Sequence, residues 1–219
     1  MKTFSRHKLN FFERITDPMR FGKGSVPPEK LFSFIVHFAK QIKFTIFLLF
    51  VLQLLTVIID LSLPLVFGLI INKILETENI SLMIKDNLFF MISYACLFLF
   101  LRPLVQILTA AIVDMSLMTG FANIVRWQSH LNVLGLDLSY FTNELSGRLA
   151  NRVIETGQAV RGVILKFFEV ILYMFLYFGG AIYILAQSSM ILAIPSFIWS
   201  IVFLYILIFL MPKVRDLSH

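Results

Sequence analysis

An all-α, polytopic membrane helix bundle is the fold class this sequence predicts, and three observations predict it. Of 219 residues, 58% are hydrophobic and 15% charged, where soluble domains run near about 45–50% and about 25%. Four stretches, at about 44–71, 88–113, 167–186 and 190–211, reach the roughly 20 mostly apolar residues that a spanning helix needs. None of the four shows the period-two alternation of a barrel strand, and helices satisfy their own backbone groups in lipid. The composition, with a mean hydropathy of +0.86, excludes a disordered chain, a collagen-like chain and an ordinary soluble enzyme. Cys96 is the single cysteine, so no disulfide closes within one chain, and His7, His37, His130 and His219 are too scattered for a metal site.

Residues 1–27 read as a basic cytoplasmic N-terminal segment. It is no secretory signal peptide, because its first long apolar run starts too late and runs too long. Glu13 and Asp17 weaken a mitochondrial presequence. Residues 28–43 read as an interfacial elbow helix: Leu31, Phe34, Ile35, Phe38 and Ile42 recur at helical spacing, Lys30, Lys40 and Lys43 can lie toward headgroups, and Pro27 and Pro28 precede. The other reading is a cytoplasmic extension of the first span. Asp60 and Pro64 interrupt that first span, and Arg102 and Pro103 the second; Val170–Ala186 and Met190–Met211 carry no charge. Pro64, Pro103 and Pro195 are expected to kink their helices.

Positive residues set the orientation. Residues 1–43 hold nine Lys/Arg, the link at 114–166 five and the tail two, whereas Asn72–Asn87 holds only Lys73 and Lys85 and the tight turn Gln187–Ser189 none. Both termini and the central link are therefore expected in the cytoplasm of an integral multi-pass protein. A bacterial inner (plasma) membrane is the expected location. The net charge of +6 is thus a topology signal, with the lipid bilayer as partner and no nucleic acid. Asn79-Ile80-Ser81 is a sequon on the outer side, meaningful only in a secretory pathway.

The inner link is long. From Leu88 to about Leu134 no strong helix breaker occurs except Pro103, which predicts a helix of roughly 70 Å, more than twice the hydrocarbon thickness of about 30 Å. The second helix must then project far into the cytoplasm. A return helix from Glu144 to Lys166 shows Leu145, Leu149 and Val153 at four-residue spacing, with Glu144–Arg148 and Arg152–Glu155 as charge pairs. Gly135 can end the first arm and Asn143 can cap the second. Between them, Leu138, Tyr140 and Phe141 either fold back on their own arms or dock a soluble partner, since exposed they would be costly.

The run Arg126-Trp127-Gln128-Ser129-His130, then Tyr140-Phe141-Thr142-Asn143, then Ser146-Gly147-Arg148-Leu149-Ala150-Asn151-Arg152-Val153 resembles the first intracellular loop of ATP-binding-cassette (ABC) exporters of the multidrug and lipid-flippase type. Pro28 through Lys40 is similar to their elbow helix, and Met211-Pro212-Lys213-Val214-Arg215 to the exit of their fourth helix. The resemblance covers nearly the whole chain and implies that 44–219 is the N-terminal part of a type-1 transmembrane (permease) domain. It implies that Leu138, Ser139, Tyr140, Phe141, Thr142 and Asn143 form the first coupling helix, docking in a nucleotide-binding domain. It also implies a second transporter subunit, as homo- or heterodimer, and ATP with Mg held by the missing domain. Spans five and six, the second coupling helix and the ATPase have no counterpart here. A fragment, a truncated product and a piece with a separately encoded remainder all fit.

No catalytic, cofactor-binding or metal-binding set is expected within this chain. No G-x-x-x-x-G-K-[ST] occurs, and in Phe21-Gly22-Lys23-Gly24-Ser25 a glycine follows the lysine where Ser or Thr must ligate magnesium. Asp60 and Arg102 are the ionisable residues well inside the spans, and charges there usually face a bundle interior. Counted along their helices they differ in depth by roughly one turn, so they can form an intramembrane polar pair; snorkelling of each is the other reading. The aromatic third span (Phe167, Phe168, Tyr173, Phe175, Tyr177, Phe178) reads as lipid-facing or packing surface. Two functions follow: a partial permease subunit of an exporter of hydrophobic or amphipathic substrates, or a transport-inactive four-helix membrane scaffold.

Overall fold

The computed structural model describes residues 27–28, 30–76, 80–135 and 146–217, which are helical throughout apart from short joints. Helix α1 (Leu31–Gln41) is followed after Ile42 by α2 (Lys43–Glu76). One unbroken helix then runs as α3 (Ile80–Ile112), a π-helical stretch π1 (Val113–Phe121) and α4 (Ala122–Leu134). A second runs as α5 (Ser146–Lys166), π2 (Phe167–Leu172) and α6 (Tyr173–Ser188), and α7 (Met190–Leu217) ends the described chain.

Three of these helices are long and apolar enough to cross a membrane: Lys43–Glu76, Asn87–Leu134 and Gly147–Ser188. The fourth expected span is α7, whose apolar stretch Met190–Ile206 is shorter. Asn87–Leu134 counts 48 residues and Gly147–Ser188 counts 42, about 72 and about 63 Å of helix. The long helix expected from Leu88 to Leu134 is thus present, and helix continues through Pro64 and Pro103. The outer link expected at Asn72–Asn87 is mostly helix as well, with only 77–79 outside the described residues.

The helix ends follow from local chemistry. Lys30 is extended (φ −73°, ψ 128°), so the helix begins at Leu31, three residues after the expected start at 28. Ile42 leaves the helical region (φ −111°, ψ 30°) and closes α1 with a bond from its N–H to the Ala39 carbonyl at 3.1 Å. Leu31–Gln41 is therefore a helix distinct from Lys43–Glu76, with the joint at Ile42. Gly135 ends α4 as expected, but in a right-handed conformation (φ −85°, ψ 0°) with its N–H on Asn132 O at 3.2 Å. The tight turn narrows to Ser189, extended at φ −164°, whose N–H closes on Leu185 O.

The described residues divide into two compact units, 1–56 with 89–170 and 57–88 with 171–219. In the first, π1 and α4 pack against α5. Gly157 meets Ala122 and Arg126 at the same distance from the connection on each arm, so the arms form an antiparallel hairpin. The core is apolar: Phe38, Leu117, Phe121, Ile124 and Val125 are fully buried, worth about 1.5–3 kcal/mol for each large side chain. On α5 the covered positions Leu149, Val153, Gly157, Val160 and Ile164 recur every three or four residues, while Arg148, Asn151, Arg152, Glu155 and Gln158 are exposed. Inside π1, Thr119 Oγ1 donates to the Asp114 carbonyl five residues back at 3.1 Å.

In the second unit α6 packs on α7. An aromatic series links them: Tyr173 stacks on Tyr177 at 5.7 Å, Phe178 lies 5.4 Å from Trp199, and Trp199 stacks on Phe203 at 5.7 Å. Lys73 Nζ donates to Asn87 Oδ1 across the α2–α3 hairpin.

The two close glycines should respond differently to a methyl group. A Cβ at Gly157 would sit 2.8 Å from Arg126 Cγ and 2.9 Å from the Ala122 carbonyl oxygen, and backbone cannot move aside cheaply. Gly157→Ala is expected to destabilise by about 1–3 kcal/mol. At Gly180 the clash is with Leu61 Cδ1, the mobile tip of a side chain, so Gly180→Ala should cost less. Unfolding of both variants in detergent micelles gives the order; a larger loss at Gly180 would contradict it.

Candidate functional site

The arms carry the motif that the sequence singled out, and its residues divide sharply by environment. Arg126 is half-buried with its stem laid over Gly157, and its Nη1 donates to Asn123 Oδ1 at 3.3 Å. Trp127 and His130 are exposed, their ring centres 6.4 Å apart on one face of α4. Gln128 points the other way and is only 4% exposed. On α5, Arg148 and Arg152 are exposed, and the Arg152 carbonyl accepts from Thr156 Oγ1 at 2.7 Å.

Gln128 makes the most specific contact in this unit. Its Nε2 donates to Gln41 Oε1 at 2.8 Å, and Gln41 Nε2 donates back to Gln128 Oε1 at 3.1 Å. This reciprocal amide pair ties the elbow helix α1 to the arm α4. Phe38, fully buried, lies one turn before Gln41, with Phe34 and His37 edge-on to its ring at 5.0 and 5.3 Å. Sequence reading placed Phe38 on the apolar stripe but gave Gln41 no role; only its place between two buried apolar residues of the stripe hinted at one. The six expected coupling residues, Leu138, Ser139, Tyr140, Phe141, Thr142 and Asn143, lie outside the described residues, as does Glu144.

In the second unit, Asp60 is half-buried in α2 and its Oδ2 accepts from the Tyr173 hydroxyl at 3.0 Å. Tyr173 reads from sequence as lipid-facing or packing surface; it stacks on Tyr177 and also donates to Asp60. Phe175, by contrast, is 78% exposed. Arg102 falls in the other unit, half-buried, with its guanidinium carbon 5.7 Å from the centre of the Phe98 ring. Among the described residues no group of three or more His, Cys, Asp or Glu could hold a metal ion.

Two outcomes test these contacts. Gln128→Ala leaves the half-buried Gln41 amide without its partner and should cost about 0.5–1.5 kcal/mol, whereas Gln41→Leu with Gln128→Leu should come near neutral; a double-mutant cycle on detergent unfolding reads the coupling. Tyr173→Phe removes one donor to the Asp60 side chain and should lose about 0.5–1.5 kcal/mol, while Tyr177→Phe should change stability far less.

Against known proteins, no family model and no solved structure matches the chain. An "Uncharacterized ABC transporter ATP-binding protein" of Haemophilus influenzae (strain ATCC 51907 / DSM 11121 / KW20 / Rd) is 28% identical over 214 residues, which is 96% of this chain and 34% of that protein. The chain thus spans about a third of the length of the curated relative it matches. It is distantly related to an ABC transporter component, and three of its helices are long and apolar enough to cross a membrane.

Proposed function

We propose that this chain is the N-terminal part of the permease domain of an ATP-driven ABC exporter, moving a hydrophobic or amphipathic substrate across a membrane. The observation that carries this reading is the antiparallel hairpin of arms. Two helices of 48 and 42 residues far exceed the roughly 30 Å that hydrocarbon requires, and π1 and α4 pack against α5 with a close approach at Gly157. A hairpin of this kind is a lever. Movement at its tip becomes movement where the helices enter lipid.

The distant relative supports an ABC system. In that setting the tip, Leu138 to Asn143, docks on a nucleotide-binding domain that holds ATP and Mg. A second transporter subunit completes the translocation path. The positive residues at 1–43, in the arms and in the tail keep those segments in the cytoplasm.

Topology tests the reading. In a Cys96→Ser background, Tyr140→Cys should resist a membrane-impermeant maleimide added to intact cells and react in inside-out vesicles. Labelling from outside would end the exporter assignment, because the lever would then lie on the side away from ATP.

A further inference from the structure

The arms contain four arginines in the described residues; Arg148 and Arg152 are exposed, and Arg126 and Arg161 are half-buried. The Nε atoms of Arg126 and Arg161 are buried with no hydrogen-bond partner. Beyond the bond from Arg126 Nη1 to Asn123, neither guanidinium has a partner among the described residues. A buried cationic donor left this way costs more than an ordinary unmade bond.

The backbone directs both groups to one place. From the position of a Cβ on Gly157, Arg126 Cγ is 2.8 Å away, Arg126 Nε 3.2 Å and the Ala122 carbonyl oxygen 2.9 Å. Arg126 stands one turn after Ala122, and Arg161 one turn after Gly157. In a helix each side chain covers the turn N-terminal to its own Cα. Arg126 therefore reaches back toward Ala122, and Arg161 reaches back toward Gly157. Because the helices are antiparallel, offsets of one turn in each chain direction fall on the same side of the seam. Asn123 and Gln158, both exposed, border that side, so it opens to solvent. The carboxylates described on the arms do not serve it: Asp114 and Glu155 are exposed, and Glu155, two residues from Gly157, stands on the opposite face.

We infer that Arg126 and Arg161 form a binding site for a phosphate dianion at the Ala122–Gly157 crossing. A phosphate monoester carries about −1.5 to −2 charges near neutral pH and offers three strong acceptor oxygens. It therefore neutralises two guanidinium groups, which a single carboxylate does not. Each guanidinium presents a planar fork that suits phosphate oxygens, and the Asn123 side-chain amide lies at the rim. The dianion is inorganic phosphate, a soluble phosphate ester or the headgroup of a lipid with a terminal phosphate. The site stands on the arms alone and does not depend on the exporter assignment.

The full chain in detergent micelles, titrated with inorganic phosphate against chloride at equal ionic strength, provides the test. Wild type should gain thermal stability with phosphate beyond chloride and bind radiolabelled phosphate at one site. Arg126→Gln and Arg161→Gln should each weaken binding about ten-fold or more, and Arg152→Gln should leave it unchanged. Affinity should rise as pH climbs through the second ionisation of inorganic phosphate, about one unit above the ~6 of a phosphate monoester. Nanodiscs separate the sources: if the ligand is a lipid, phosphatidic acid occupies the site and soluble phosphate no longer binds, whereas phosphatidylcholine leaves it open. Phosphate acting no better than chloride in micelles, together with no effect of phosphatidic acid, overturns the inference. Equal loss in Arg152→Gln, or adventitious binding without the pH rise, overturns it too. Where a glutamine variant fails to fold, the pH profile of wild type and the weaker binding of Arg161→Lys decide alone.

Discussion

The contact on which the arms depend is the approach of the Ala122 carbonyl to Gly157. A methyl group at 157 would have to share space with a peptide oxygen and an arginine stem, so the two helices come this close only because that position has no side chain. The approach sets the axial register of α4 against α5. Once the register is set, Leu117 and Phe121 of π1 are brought fully into the core. Gln128, on a different face of the same helix, is left facing the elbow.

The elbow is then held in two ways that do different things. Phe38 and Ile42 are buried almost completely and supply the larger share of the attraction. Apolar contact tolerates small slides, since volume counts for more than direction. The reciprocal amide pair does not tolerate them, because both bonds are lost when Gln41 moves by one residue and the buried Gln128 amide is left without its partner. Ile42, just after Gln41, is where the chain leaves the helix, so the pair pins α1 at the residue before the joint. Asp60 and Tyr173 follow the same logic in the other unit: a single directed bond selects one rotation of α2 among many that would bury similar apolar area.

Features governed by neighbours in sequence were legible, and features governed by distant residues were not. The uninterrupted second helix followed from the want of breakers between Leu88 and Leu134, and Gly135 marked its end. The elbow stripe Leu31–Phe34–Ile35–Phe38–Ile42 marked a helix, though no Gly or Pro announced the joint at Ile42. Arg126 was noticed as part of a motif, but its position over Gly157 depends on a register fixed across the hairpin. Gln41 and Gln128 are 87 residues apart, and no local periodicity pairs them. The bond from the Tyr173 hydroxyl to Asp60 escaped notice because an aromatic in an apolar span reads first as bulk and only second as a donor.

The two π-helical stretches were equally invisible, yet their positions answer to the sequence. A helix in lipid is apolar all round, while an arm in water must gather its apolar residues on one face. Each long helix passes once between an uncharged apolar stretch and one with exposed charged residues. Asp114 opens π1 as the first charge after Arg102, and Glu169 lies in π2 as the last charge before the uncharged Tyr173–Ser188. A wider turn takes up an extra residue and rotates the following face by about 100° relative to an unbroken α-helix. The face chosen by packing among apolar neighbours is thereby decoupled from the face that meets the partner arm. In π1 the consequence is visible: Ser116, Leu117, Gly120 and Phe121 turn inward together, and the stripe continues through Ile124 and Val125 into the arm.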